Sequence, residues 1–248
     1  MFSEDDRQRV HDRVLEWARS DPRVVAGAVV GSLAHQPGDR WSDLDLTFAV
    51  ADGVRVQDVL DDWSARLAVD FDAVRLFDLT SSGITYRVFL LRGCLQFDLS
   101  FSPAAQFGAI GPNFRLLFGS ASEKPLVPPP TAEGLFGYAV HHAVRAYVCI
   151  QRARYWQAEY WISSIRDNAM SLACVRLGLP AYYGRGFDAL PDDVRRRGEA
   201  ALVRSLDGPE LSRALACAVD ALLQEAEQAS ELRAQVEARL RDFIRPSP

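Results

Sequence analysis

Two carboxylates one residue apart, Asp43 and Asp45, stand in the run Ser42-Asp43-Leu44-Asp45-Leu46. In a strand, successive side chains point to opposite faces. The pair therefore shares one face, about 6–7 Å apart along the chain, while Leu44 and Leu46 turn toward a core. Oxygen donors so placed can hold one or two Mg²⁺ ions, a hard cation that shares its ligands with phosphate groups. Ten residues earlier the apolar run Val29-Val30 leads into Gly31-Ser32. Gly31 has no Cβ and lets a phosphate approach the backbone, and Ser32 offers a hydroxyl and a main-chain N–H. A short helix starting at Leu33 would add the positive end of its dipole. Together the two stretches suit a metal-bound nucleoside triphosphate. Each alone has a plainer reading, as solvated acids where a loop enters a strand or as an ordinary turn.

The order of apolar strand, Gly-Ser, ten-residue spacer and Asp-x-Asp resembles the signature of the DNA polymerase β-like nucleotidyltransferase superfamily. That resemblance implies a third carboxylate on a later strand, and residues 94–101 offer one. Leu95, Phe97, Leu99 and Phe101 alternate there with Cys94, Gln96, Asp98 and Ser100, the pattern of a strand with one apolar and one polar face. Asp98 occupies the middle of the polar face. The resemblance thus implies that Asp43, Asp45 and Asp98 bind two Mg²⁺ ions and that Gly31 and Ser32 hold the terminal phosphates of a nucleoside triphosphate, with ATP the expected donor.

These residues need elements to position them, and the hydrophobic pattern supplies candidates. Ser3 with Glu4-Asp5-Asp6 reads as a helix N-cap, and Val10, Val14, Leu15 and Trp17 carry helical spacing up to Pro22. Residues 24–30 form a short apolar run, 35–40 a turn-rich loop, and 43–50 a strand. Helical spacing follows over 56–67, then strands over 72–79, 84–91 and 94–101. From 103 to 130 glycine and proline punctuate the chain, with a short helix expected around 114–118. Beyond Pro128-Pro129-Pro130 the pattern is helical: 132–154, 155–178 and a last helix from about 209 to 243. The fold class expected is α+β, a mixed-sheet nucleotidyltransferase core followed by an all-helical bundle, with domains 1–127 and 128–248.

Composition narrows the function classes. The chain has 248 residues, 48% hydrophobic and 25% charged, the balance of a globular protein with a substantial core. Its net charge of −5 and its single lysine, Lys124, argue against nucleic acid as a partner. Any phosphate clamp must be built from arginine, and Arg40, Arg87 and Arg92 are candidates. Cys94, Cys149, Cys174 and Cys217 are far apart and read as reduced thiols. The acidic N-terminus lacks the apolar core of a signal peptide, and no run is long enough to span a membrane, so a cytoplasmic protein is expected.

The layout of a strand-rich core followed by helices resembles the antibiotic nucleotidyltransferases, which adenylylate aminoglycosides or lincosamides. In several enzymes of that group a carboxylate of the helical domain takes the proton from the acceptor hydroxyl. Glu159 is the residue best placed for this by sequence, with Asp167 second. Arg152, Glu159 and Arg166 recur every seven residues and would form one stripe if the helix is continuous. Asp98 could serve as the base itself. Tyr155, Trp156, Tyr160 and Trp161 suit an interdomain core more than a pocket for a base or sugar, His141-His142 lacks a partner at metal-ligand spacing, and His35 could touch phosphate or stand idle in its loop.

The expected function is Mg²⁺-dependent transfer of a nucleoside monophosphate, AMP from ATP, to a hydroxyl of a small molecule, with release of pyrophosphate. An aminoglycoside or lincosamide is the acceptor that the resemblance suggests. The alternatives are an antitoxin-like or regulatory enzyme that modifies a protein partner, and a non-catalytic nucleotide-binding module. The chain is expected to be a monomer or a homodimer.

Overall fold

The computed structural model describes residues 1–35, 38–81, 83–125 and 128–244. Gln36 and Pro37 of the expected loop, Ser82 of the expected turn, residues 126–127 of the connecting segment and Pro246 lie outside the described residues. The chain divides into two compact units, Met1–Val127 and Pro128–Pro248.

In the first unit Ser3 and Asp6 close a reciprocal cap. Asp6 donates its N–H to the Ser3 hydroxyl at 3.1 Å, and Ser3 donates its N–H to the Asp6 carboxylate at 2.9 Å. Helix α1 (Glu4–Ser20) starts there and buries Val10, Val14 and Trp17 along one face. Strand β1 (Val24–Val30) follows, then β2 (Leu44–Val50), helix α2 (Val56–Phe71), and strands β3 (Val74–Ser81), β4 (Ile84–Leu91) and β5 (Leu95–Pro103). Short strands β6 (Gly108–Ile110), β7 (Phe114–Phe118) and β8 (Ser122–Lys124) complete the unit. The main sheet runs β3-β4-β5-β2-β1-β7, while β6 and β8 pair separately. Within the main sheet β2 and β5 are parallel, and the other neighbours are antiparallel.

The alternation in β2 and β5 decides which face is covered. Leu44, Leu46 and Phe48 join Phe97, Leu99 and Phe101 in one buried cluster with Val10, Val14 and Trp17 of α1 and Trp63 of α2. Trp63 sits at its centre, edge-on to Phe101 with ring centroids 5.1 Å apart, and donates its indole N–H to Asp21 at 3.0 Å. Asp21 also accepts from the Arg23 guanidinium, and these bonds hold its carboxyl down at about 2 despite burial. One carboxylate thereby ties the end of α1 and the start of β1 to α2.

Two expectations change here. Residues 114–118 form strand β7 rather than a helix, because β1 offers them an unpaired edge and tertiary pairing outweighs local propensity. The short helix expected from Leu33 is a single 3₁₀ turn over Gly31–Leu33, too short to carry a helix dipole of any size.

The second unit is helical. It contains α3 (Ala132–Gln151), α4 (Tyr155–Leu177), α5 (Asp192–Ala200), α6 (Gly208–Glu225) and α7 (Ser230–Ile244). Thr131 caps α3 by accepting the Gly134 N–H, and Gly178, at φ 68°, ends α4 in the left-handed conformation that glycine tolerates best. The last helix expected as one piece is two, α6 and α7, separated by a 3₁₀ turn over Ala226–Ala229. The core of this unit is built on small residues of α3, α4 and α6, among them Ala139, Ala143, Ala146, Ala158 and Ala218, which let helix backbones approach closely. Glu225 is buried beneath it, with Arg176 at 2.7 Å and Arg197 beside it. No helix among the described residues is long and apolar enough to cross a membrane.

Candidate active site

Because Leu44, Leu46, Phe97 and Leu99 face the helices, Asp45 and Asp98 face the other side of the sheet. The parallel register sets them directly opposite each other, Asp45 against Asp98 on neighbouring strands. Strand spacing of about 4.8 Å brings the two carboxylates within reach of one cation. The strand begins at Leu44, so Asp43 lies just before β2 rather than within it. Its charge still reaches Asp98. Burial raises the Asp98 pKa above the ordinary carboxylate value, the N–H donated by Gln96 at 3.0 Å opposes the shift, and the nearby Asp43 carboxylate adds to it. Asp43, Asp45 and Asp98 are each half-buried.

The Gly31-Ser32 turn meets this cluster. Gly31 adopts φ 71°, and a Cβ placed on it would stand 2.3 Å from the Asp45 carboxylate oxygen. Glycine is therefore required twice at this position, by backbone conformation and by the approach of Asp45. The Gly31 N–H donates to the Asn113 carbonyl at 3.2 Å, which fixes the turn against the start of β7. The Ser32 side chain is exposed.

Two arginines not singled out by the sequence reading hold the flanks of the site. Arg7 of α1 is buried and donates from Nη1 to the carbonyls of Asp39 and Ser42, each at 2.7 Å. It thereby anchors the turn that delivers Asp43, a turn closed by the Trp41 N–H on the Asp39 carboxylate at 2.8 Å. Arg115 of β7 donates to the Ala34 carbonyl at 2.8 Å, just after the Gly31-Ser32 turn. The signal for Arg7 was present in the sequence: it lies in phase with Val10 and Val14 on the apolar face of α1. Arg115 was hidden by the reading of its segment as a helix.

The remaining candidates are placed as follows. Arg87 is buried on the helix-covered face, bound to Asp78 and Asp61 at 2.8 Å each, and is structural rather than a phosphate contact. Arg92 pairs with Asp72, and Arg40 lies over the Trp41 ring at 4.3 Å. The His35 ring contacts the Pro112 carbonyl. Glu159 lies on α4 of the second unit and accepts the Ser163 hydroxyl at 2.7 Å. Arg152 caps the end of α3, so the helix breaks before α4 and the expected stripe through Arg152, Glu159 and Arg166 does not form. Asp167 is engaged by Arg166 at 2.7 Å. Of the four aromatics, Tyr155 and Trp161 pack on the core of the helical unit, whereas Trp156 and Tyr160 are exposed.

Among the described residues no three His, Cys, Asp or Glu side chains converge tightly enough to hold a metal ion by themselves. The donor set nevertheless suits Mg²⁺ in type: hard oxygens on one sheet face, two of them in register. Mg²⁺ keeps several waters and is commonly bound by one or two carboxylates together with substrate phosphates, so a closed protein cage is not what this ion requires.

No protein-family model and no curated protein matches the sequence. Among solved structures the chain is similar to an aminoglycoside 6-adenyltransferase from Bacillus subtilis, with 13% identity, 98% of this chain and 99% of that chain covered, and a TM-score of 0.42. A likeness of this degree concerns the path of the chain and says nothing about the reaction.

Proposed function

We propose that this chain is a Mg²⁺-dependent nucleotidyltransferase that moves a nucleoside monophosphate from a triphosphate, with ATP the expected donor, to a hydroxyl of a small molecule. The observation that supports this reading is the pairing of Asp45 with Asp98 across two parallel strands, with Gly31 pressed against Asp45. Asp43, Asp45 and Asp98 would hold the metal, two ions in the full complex. When bound, the metal supplies neutralisation of phosphate charge and alignment of the attacking and leaving oxygens.

The protein's own groups do the rest by position. Gly31 lets the terminal phosphates approach the backbone, and Ser32 offers them its N–H and its exposed hydroxyl as donors before they leave as pyrophosphate. The acceptor oxygen forms a bond to the α-phosphorus as the bond to the pyrophosphate oxygen breaks. The proton of the acceptor hydroxyl needs a base. Asp98, whose pKa burial has raised, suits that role, and Glu159 is the candidate of the helical unit. Arg7 and Arg115 are positioning residues that fix the two loops.

The test is thermal stability against each ribonucleoside triphosphate, with and without Mg²⁺, for the wild type and Asp45→Asn. A folded-state ligand raises the midpoint with the logarithm of its concentration over its affinity. A Mg²⁺-dependent rise with one triphosphate, lost in Asp45→Asn, is expected, followed by pyrophosphate release in an acceptor screen that begins with aminoglycosides and lincosamides. Full turnover by Asp45→Asn would overturn the assignment.

A further inference from the structure

Among the described residues, strand β3 is the end strand of the main sheet and pairs with β4 alone. Natural proteins protect such an edge with lysine, proline or brevity, and also with bulges or inward-pointing charges. This one is eight residues long, contains neither lysine nor proline, and exposes Val74, Leu76, Phe77 and Leu79 by 47–59%.

The pairing with β4 shows how those residues are distributed. Register passes from Arg75 opposite Phe89 to Phe77 opposite Val88, so Leu76 is the extra residue of a bulge. The bulge shifts the alternation by one. Val74, Phe77 and Leu79 therefore share the face that carries Asp98, while Arg75 and Asp78 share the face covered by α2 and meet each other there at 2.7 Å.

This order is self-complementary. An antiparallel copy paired about a two-fold axis at Phe77 places Phe77 against the copy's Phe77, Val74 against the copy's Leu79, and Arg75 against the copy's Asp78. Apolar groups meet apolar groups and each charge meets its opposite. The neighbouring registers fail: one sets Arg75 against Arg75, and the other sets Asp78 against Asp78. A two-fold interface requires such a match of the strand with itself.

We propose that two copies of this chain associate through β3, in antiparallel register centred on Phe77, to form one continuous sheet across the dimer. The site around Asp45 and Asp98 stays within each copy, and the dimer holds whatever reaction that site performs.

Light-scattering mass at micromolar concentration tests the association. The wild type should run at twice 27.6 kDa and Phe77→Asp, which sets like charges together at the axis, at 27.6 kDa with an unchanged circular dichroism spectrum. Register is tested by crosslinking in a Cys94→Ser background, since Cys94 is exposed. Phe77→Cys sets two thiols about 5 Å apart between Cβ atoms and should form a covalent dimer on mild oxidation. Leu79→Cys sets its two copies about 13 Å apart along the strands, too far for a disulfide, and should not. A wild type of single-chain mass, a Phe77→Asp variant that remains dimeric, or crosslinking of Leu79→Cys as readily as Phe77→Cys would each overturn the proposal.

Discussion

Replacing Asp98 with Asn removes one negative charge from the cluster while preserving shape and the acceptor that Gln96 uses. Asp98 and Asp45 stand opposite each other on adjacent strands. Unit charges about 5 Å apart repel by about 3 kcal/mol at an effective dielectric near 20, and by under ~1 kcal/mol in bulk water. Half-burial puts the pair between these limits and water screens it, so relief of about 1 kcal/mol is the reasonable expectation. For a chain of this length that corresponds to a rise of about 2–4 °C in the unfolding midpoint without metal.

The pH dependence has a definite sign. Burial and Asp43 raise the Asp98 pKa in the folded chain, so the folded state binds more protons than the unfolded state just above the ordinary value of 3.8. Stability contributed by Asp98 is therefore lost as pH rises through that window, and the cost persists at neutral pH. The advantage of Asp98→Asn should be full at neutral pH and disappear in acid below the ordinary carboxylate range. Calorimetry with and without Mg²⁺ and triphosphate is the assay, and the variant should gain stability without ligand while losing the ligand-dependent rise. A variant less stable than the wild type in metal-free buffer, or one that keeps the full rise, would refute the view that Asp98 is a strained ligand awaiting a cation.

Gly31→Ala should cost about 1–2 kcal/mol from the left-handed backbone alone, and its methyl group, meeting Asp45 at 2.3 Å, should also abolish the Mg²⁺-triphosphate response; a variant that binds as the wild type does would show that the close approach is dispensable. Arg87→Met strips a buried guanidinium from Asp78, Asp61 and Ser64 and should cost about 1.5–3 kcal/mol in urea unfolding at neutral pH, since water can reach the carboxylates left behind. Arg87 holds the Asp78 and Asp61 carboxyls below their ordinary value, so their contribution is present above about pH 4 and is lost as pH falls through their lowered pKa values. The acid sensitivity of the wild type should shrink accordingly in Arg87→Met, and a cost under ~1 kcal/mol would remove the ion pair from the account of the fold.

The sequence by itself determined what depends on nearest neighbours along the chain. The Ser3 cap, the apolar faces of α1 and α2, the alternation of Leu44, Leu46, Phe97 and Leu99, and the stop at Gly178 all follow from periods of 3.6 and 2 and from the backbone freedom of glycine. That alternation already placed Asp45 and Asp98 opposite the apolar residues of their own strands. It could not say that the two strands are neighbours, because no local pattern encodes the partner or register of a strand fifty residues away. Only the tertiary structure set Asp45 against Asp98, made Arg87 a buried tie and Arg7 the anchor of the Asp43 turn, and drew residues 114–118 into the sheet beside β1. Arginine reads alike wherever it stands in a sequence; the roles of Arg7, Arg87 and Arg115 are fixed by carboxylates, carbonyls and a hydroxyl that the fold brings to them from 9 to 81 residues away.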